Sequence, residues 1–160
     1  MRKISAADSL ASLLKPSAIN LNLKERKKIP ALREIAMLLH ENKSVTNFDA
    51  FFDEILNREN ISNTALGHDV AIPHARTDQC IDILVAVGRS AEGVDYESKD
   101  NGPVRLVFLI GTPKQMVTEY LRVVGHLARL LRRDDIRQRL LTAPDAASFI
   151  HVISESEIPE

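Results

Sequence analysis

Residues 67–76 of this chain read Gly-His-Asp-Val-Ala-Ile-Pro-His-Ala-Arg, and the interpretation of the whole sequence starts from this stretch. A short apolar run leads into Pro73, which fixes its own φ angle and favours an extended backbone at Ile72. We therefore expect His74 to lie where a strand ends and a loop opens, with its ring held in a defined direction. A histidine in such a place is available for chemistry, whereas a histidine in the middle of a helix usually is not.

The apolar periodicity on both sides of this stretch predicts an α/β fold. Alternating and β-branched apolar runs predict strands over residues 19–23, 70–72, 81–88 and 104–111. Apolar residues at helical spacing predict helices over residues 7–14, 24–40, 48–60, 115–132, 134–141 and 143–153. This order predicts a small mixed β-sheet flanked by helices on both faces. We expect a single domain over residues 1–160, with its core at about residues 5–153 and a frayed tail at residues 154–160.

Composition and charge argue against several classes of protein. Apolar residues make up 44% of the 160 residues and charged residues 27%, which is usual for a globular domain. The net charge of -1 and the absence of Trp argue against a nucleic-acid partner. No apolar run approaches the ~20 residues of a membrane-spanning helix and no signal peptide is apparent, so we expect a cytoplasmic protein without membrane insertion. The single cysteine, Cys80, forms no internal disulfide, no Cys/His metal spacing exists, and no cofactor is indicated.

His74 has the properties of a nucleophile for phosphoryl groups. A neutral imidazole is nucleophilic at physiological pH, because its unperturbed pKa is about 6.5. Its N-phosphoryl adduct keeps a good leaving group and can pass the phosphoryl group on, whereas a serine ester would retain it. Taken alone, a histidine at a strand end is more often structural and bonds a carbonyl group. The sequence around His74 instead favours a functional role for this histidine.

Three segments, at residues 56–59, 62–67 and 70–74, together form the arrangement R-E…T-x-x-G…A-I-P-H. This arrangement and the order of elements resemble the type-2 enzyme IIA domain of the phosphoenolpyruvate:sugar phosphotransferase system. That family comprises the fructose, mannitol and nitrogen-regulatory branches, and the chain is most similar to the free-standing nitrogen-regulatory branch. The resemblance implies the α/β sandwich of that family over essentially the whole chain.

The resemblance also implies roles for particular residues. In the family, the histidine of the I-P-H motif takes a phosphoryl group from the carrier HPr, or from its nitrogen-branch paralogue. It passes the group to a IIB domain or serves as a regulatory switch, and His74 matches it here. The family arginine matches Arg58, whose guanidinium is implied to bind phosphoryl oxygens in bidentate fashion. Thr64 matches the family threonine and is implied to donate its hydroxyl.

The chain departs from the family pattern at three positions. Ala75 follows the active histidine where the family usually has glycine, and Asp69 also stands in place of a glycine. Tyr120 stands where the long helix of the family carries a second histidine. A phenol can donate one hydrogen bond to a phosphoryl oxygen but is neutral near pH 7, since its ordinary pKa is about 10. Arg76 and Arg122 are then candidates for the missing positive charge.

The sequence leaves two functions open and disfavours a third. The first is a phosphocarrier that uses His74. The second is a non-catalytic regulatory module of the same fold that binds a kinase, a transporter or a transcription factor. A hydrolase with His74 as general base is disfavoured, because neither G-x-S-x-G nor H-E-x-x-H occurs. Asp134 and Asp135 are interspersed among the arginines between residues 129 and 139, and we interpret this cluster as a solvated surface.

Overall fold

A mixed β-sheet lies at the centre of the computed structural model, which describes residues 9–98 and 102–157. The strands of the described residues are β1 (Ile19–Asn20), β2 (Ala65–Gly67), β3 (Val70–Ala71), β4 (His74–Thr77), β5 (Leu84–Val94) and β6 (Val104–Pro113). β5 and β6 form an antiparallel pair, and β1 runs parallel to β5 at one edge. On its other side, β6 pairs in parallel with β3 and β4, and β2 pairs antiparallel with β3.

Helices cover both faces of this sheet. The α-helices of the described residues are α1 (Leu10–Leu13), α2 (Lys28–Ala36), α3 (Phe48–Ile61), α4 (Val117–Leu130), α5 (Asp134–Thr142) and α6 (Ala146–Ser156). Short 3-10 turns occupy Pro16–Ala18 and Met37–Leu39. α3 begins where the sequence predicts, because the Asn47 side chain accepts a hydrogen bond from the Ala50 N–H at 3.1 Å.

The buried strands supply two apolar cores, one on each face of the sheet. Phe108 and Ile110 of β6 pack on the side of α1, α4, α5 and α6, whereas Val107 and Leu109 pack on the side of α2 and α3. This alternation follows from the period of two along a strand. The predicted mixed sheet between two layers of helices is confirmed.

β3 and β4 pair with the same strand, one after the other, because Pro73 lies between them. Ala71 lies opposite Val107 and His74 lies opposite Ile110. Pro73 has no N–H to donate, but its carbonyl accepts a hydrogen bond from the Ile110 N–H at 2.9 Å. His74 therefore begins a strand, which differs from the expectation that it opens a loop.

A two-residue turn joins β2 to β3. Its central residues, His68 and Asp69, have positive φ angles of 54° and 71°, the sign found in the type I′ turns of tight hairpins. Glycine is the usual residue at such angles, but aspartate is among the few others that adopt them, because its short polar side chain can form a local hydrogen bond, and Asp69 is therefore compatible with this turn. The Asp69 carbonyl accepts hydrogen bonds from Arg105 and Leu106, which fixes the turn to the start of β6.

Several predicted boundaries are wrong. The strand predicted over residues 19–23 is only two residues long, and the helix predicted over residues 24–40 begins at Lys28 and ends in a 3-10 turn. Pro30 lies in the first turn of α2, where its missing N–H costs nothing.

The predicted frayed tail is also wrong for its described part. α6 runs to Ser156, and the Glu157 carboxylate accepts hydrogen bonds from the N–H groups of Leu10 at 2.5 Å and Ala11 at 3.1 Å. Glu157 thus binds the N-terminal end of α1, where a negative charge is favourable. Residues 158–160 lie outside the described part of the chain.

Candidate active site around His74

The ring of His74 is fixed through one of its two nitrogens. Nδ1 lies 2.6 Å from the carbonyl oxygen of Ile72. Since a carbonyl oxygen only accepts, Nδ1 carries the hydrogen and the lone pair of the neutral ring is on Nε2. His74 therefore does bond a carbonyl group, as a structural histidine at a strand end would. This bond uses Nδ1 and leaves Nε2 without a bond to Ile72. The residue is neither buried nor fully exposed.

The surroundings of His74 keep its imidazole neutral. Burial is the largest influence and lowers the pKa of His74 below its ordinary value. The positive charge of Arg58 lowers this pKa further, while the bond to the Ile72 carbonyl and the charge of Glu59 raise it. The net direction is downward, so the neutral form of the His74 ring predominates at pH 7.

We expect His74 to titrate below pH 6.5, where an unstructured histidine is half protonated. Its neutral form should predominate at pH 6.5 and be lost as the pH falls through the lowered pKa. A ¹H–¹⁵N NMR titration of His74 measures this, and a peptide of residues 67–76 provides the unfolded reference. A midpoint at or above that of the peptide would contradict the prediction.

Tyr120 lies against His74, and Arg76 lies over the Tyr120 ring. The ring centroids of Tyr120 and His74 are 5.7 Å apart, with the ring planes tilted by 51°. The guanidinium carbon of Arg76 is 5.7 Å from the centroid of the Tyr120 ring. His74 and Arg76 are two residues apart in β4 and so lie on the same face of the sheet. The phenol and the guanidinium thus bring one donor and one permanent positive charge to the neighbourhood of His74.

Arg58 approaches the site from the last turn of α3. Its side chain is half-buried, and Nη1 is 3.4 Å from the carbonyl oxygen of Ser62, which leaves most of its donors unused by the contacts described. With Arg76 and Lys114 it lines a groove of about 460 Å³ next to β4. Glu54, Asn57, Ile61 and Ala75 form the rest of its wall. Sequence reasoning missed Lys114, which follows β6 directly and also pairs with Asp78 at 3.4 Å.

Thr64 is engaged elsewhere than the resemblance implies. Its hydroxyl donates to Glu59 Oε1 at 2.5 Å, and its N–H donates to Glu59 Oε2 at 2.9 Å. Tyr96 donates to the same Oε1 at 2.9 Å, and burial, with the nearby charge of Glu59, raises the pKa of this phenol and keeps it protonated. Direct donation by Thr64 to a phosphoryl oxygen would require its bond to Glu59 to break. Sequence reasoning gave no role to Glu59, although it stands in the R-E pair of the motif.

Three further properties of the described residues concern metal binding, membrane spanning and thiol chemistry. Among residues 9–98 and 102–157, no group of three or more His, Cys, Asp and Glu side chains is arranged to hold a metal ion. The same part of the chain has no helix long and apolar enough to cross a membrane. Cys80 is a buried free thiol, and burial raises its pKa to about 12, so it is not a reactive nucleophile.

A sequence model of the family described as "Phosphoenolpyruvate-dependent sugar phosphotransferase system, EIIA 2" matches residues 12–156. The chain belongs to this EIIA 2 family. This EIIA 2 chain is 35% identical over 148 residues to the fructose-specific EIIABC component of Bacillus subtilis, with 92% of the chain but only 23% of that protein covered. It is also 35% identical to a nitrogen regulatory protein of Bradyrhizobium diazoefficiens, with 91% of the chain and 94% of that protein covered.

Solved structures agree with this assignment. The nitrogen regulatory protein IIA-Ntr of Neisseria meningitidis superposes on the EIIA 2 chain with a TM-score of 0.84 and 29% sequence identity. The superposition covers 90% of this chain and 98% of that one. The sequence-based recognition of the family is therefore confirmed.

Proposed function

We propose that this EIIA 2 chain is a phosphocarrier in which Nε2 of His74 takes up a phosphoryl group from a phosphohistidine of an HPr-like protein. The lone pair of Nε2 forms the new N–P bond, and the electron pair of the broken N–P bond returns to the donor nitrogen. The hydrogen on Nδ1 stays in place throughout. The observation that carries this proposal is the contact between Nδ1 and the Ile72 carbonyl, which leaves the lone pair of the neutral ring on Nε2.

The cations beside His74 supply what the transferring group requires. Negative charge is spread over the phosphoryl oxygens in the transition state, so fixed positive groups next to it lower the barrier. We assign Arg58 to bind phosphoryl oxygens and Tyr120 to donate one hydrogen bond, with Arg76 supplying a second positive charge. Thr64 is assigned an indirect role, since its hydroxyl is bound to Glu59.

The acceptor of the phosphoryl group differs between two kinds of relative. The Bacillus subtilis relative is named as an EIIABC component, which supports a IIB domain as the acceptor. The Bradyrhizobium relative is named as a nitrogen regulatory protein, and the EIIA 2 chain covers nearly all of it, which supports a regulatory target. Both acceptors are consistent with an adduct that releases its phosphoryl group easily.

The test is phosphorylation of the purified chain by phosphorylated HPr or its nitrogen-branch paralogue. We expect one acid-labile phosphoryl group, located on Nε2 of His74 by mass spectrometry and ³¹P NMR, and none in the His74→Ala variant. Addition of a IIB domain should then remove it. Equal labelling of the wild type and His74→Ala would contradict the proposal.

A second candidate function is regulation by binding alone. The similarity to nitrogen regulatory proteins over nearly their whole length favours this alternative. Two results would support this alternative over the phosphocarrier. A target protein would bind with the same affinity whatever the phosphorylation state of His74 and also in His74→Ala, and the wild-type chain would not become phosphorylated by the donor.

A further inference from the structure

An ion pair is buried directly behind the segment that leads to His74. Lys28 Nζ lies 3.0 Å from Glu59 Oε2, and these two residues are only 8% and 3% exposed. Lys28 also lies over the ring of Tyr96, at 4.6 Å from its centroid. Taking two charges out of water is costly, and well-packed apolar residues are often as stable as such a pair. Stability alone therefore does not account for the presence of these charges.

Four hydrogen-bond donors surround the Glu59 carboxylate. Lys28, the Tyr96 phenol, and both the N–H and the hydroxyl of Thr64 point at its two oxygens. An ionised carboxylate only accepts hydrogen bonds, so it can receive all four donors at once. Glu59 thereby fixes Thr64 at two points, one on its backbone and one on its side chain.

A chain of hydrogen bonds continues from Thr64 to the imidazole. The Thr64 carbonyl accepts from the N–H of Ile72 at 3.2 Å, which extends the pairing of β2 with β3 by one step. The carbonyl of the same Ile72 accepts from His74 Nδ1 at 2.6 Å. Two residues thus separate the buried carboxylate from the ring, and each link is a direct contact.

We propose that Glu59 is a positioning residue for His74. By holding Thr64 it holds Ile72, and the fixed Ile72 carbonyl keeps the hydrogen of the imidazole on Nδ1 and the lone pair on Nε2. The effect on phosphoryl transfer rests on the function proposed above, whereas the effect on the tautomer does not. The two are therefore measured separately.

The experiment compares variants that weaken the chain of bonds at two places. Glu59→Gln combined with Lys28→Met removes the carboxylate without leaving a buried ammonium unpaired, and the amide of glutamine turns a donor toward neighbours that are donors themselves. Thr64→Val removes the hydroxyl with its bond to Glu59 and its 2.9 Å contact to the Tyr96 phenol but keeps the backbone link, and Thr64→Ser restores the hydroxyl. Glu34→Gln is the matched control, since Glu34 also accepts backbone N–H groups, from Lys24 and Glu25, in a loop that does not lead to His74.

Imidazole ¹⁵N chemical shifts above the pKa of His74 report the tautomer, and steady-state transfer from the phosphorylated donor gives kcat and KM. We expect only the Nδ1–H tautomer in the wild type and in Glu34→Gln, and a mixture of tautomers in the Glu59 double variant and in Thr64→Val. Mutation of a hydrogen-bond partner that orients a metal-ligating histidine typically costs about 10- to 100-fold in activity. By analogy, we expect the Glu59 double variant and Thr64→Val to lose about tenfold in kcat, with KM changed less than about twofold. Thr64→Ser should recover both readouts.

The proposal is overturned if both weakened variants, folded as judged by urea denaturation, keep the wild-type tautomer. If the double variant does not fold, Thr64→Val and Thr64→Ser decide the question with the same readouts. A wild type that shows the Nδ1–H tautomer but takes up no phosphoryl group would refute the proposed function and leave the positioning role standing.

Discussion

Replacing Arg58 by methionine should lower the rate of phosphoryl transfer to His74 by about 100-fold, the usual cost of removing one fixed donor from a developing negative charge. The side chain lies in the last turn of α3 beside the groove, and its charge is felt at His74, because it contributes to the lowered pKa of that ring. The loss should appear in single-turnover kinetics with the phosphorylated donor. Little stability should be lost, because the only hydrogen bond described for this guanidinium is the long one to Ser62.

The same substitution raises the pKa of His74, since the positive charge of Arg58 holds it down. The rates should therefore be compared at pH 8, where His74 is neutral with or without Arg58. Arg58→Lys keeps the charge without the planar pair of donors, so its rate should fall between the two. Arg132→Met removes an exposed arginine in the turn after α4, whose last residue is ten residues and about 15 Å along the helix from Tyr120, and serves as the matched control. A rate for Arg58→Met within about twofold of the control would exclude Arg58 from the transition state.

Replacing Gly111 by valine should lower the free energy of unfolding by about 3 kcal/mol, because the site has no room for a side chain. A Cβ atom at Gly111 would lie 2.4 Å from Cε1 of Phe51 and 2.8 Å from its Cζ. The Phe51 ring is fully buried, so it cannot move aside into solvent. Valine otherwise suits a strand, and the loss therefore measures the contact between β6 and α3. Urea denaturation monitored by circular dichroism gives the value.

Two comparisons make this second prediction specific. Adding Phe51→Leu to Gly111→Val should restore part of the stability, with a coupling between the two sites of about 0.5–3 kcal/mol. Gly125→Ala should act in the opposite direction and stabilise by about 1 kcal/mol, because Gly125 is inside α4 and a Cβ there meets only the tip of Arg129 at 3.5 Å. Purely additive effects of the Gly111 and Phe51 substitutions would contradict the steric explanation.

The parts of the fold that local patterns determine were predictable from the sequence. α3 has an Asn47 cap and phenylalanines at helical spacing, and β6 and the first half of β5 are apolar runs rich in β-branched residues, whereas the polar second half of β5, residues 89–94, was not predicted. β2 and β4 were not predicted, because they are three and four residues long and β4 reads His-Ala-Arg-Thr, a polar sequence. What makes β4 a strand is its pairing with β6, more than thirty residues later in the chain, and no local pattern contains that information.

Some residues of the candidate site were predictable from the local sequence, and others were not. His74, Arg58 and Tyr120 were located from the motif and its departures, and the structure places Tyr120 against His74 and the charge of Arg58 within reach of it. The buried pair of Lys28 and Glu59 escaped notice, since Lys28 ends a run of charged residues that looks like ordinary solvated surface. Its burial comes from the docking of α2 on α3, which is a tertiary contact. The role of each of these residues in transfer stays a prediction.

The pairing of both β3 and β4 with β6 has a consequence for biosynthesis. The segment that contains His74 is translated well before residues 104–113, which provide its only long partner strand among the described residues. Long-range pairing of this kind must wait for the later segment, so a nascent polypeptide or a fragment truncated before residue 104 has no scaffold for His74. The phosphoryl transfer proposed for His74 would therefore have to wait until the ribosome has delivered β6, the last strand of the sheet.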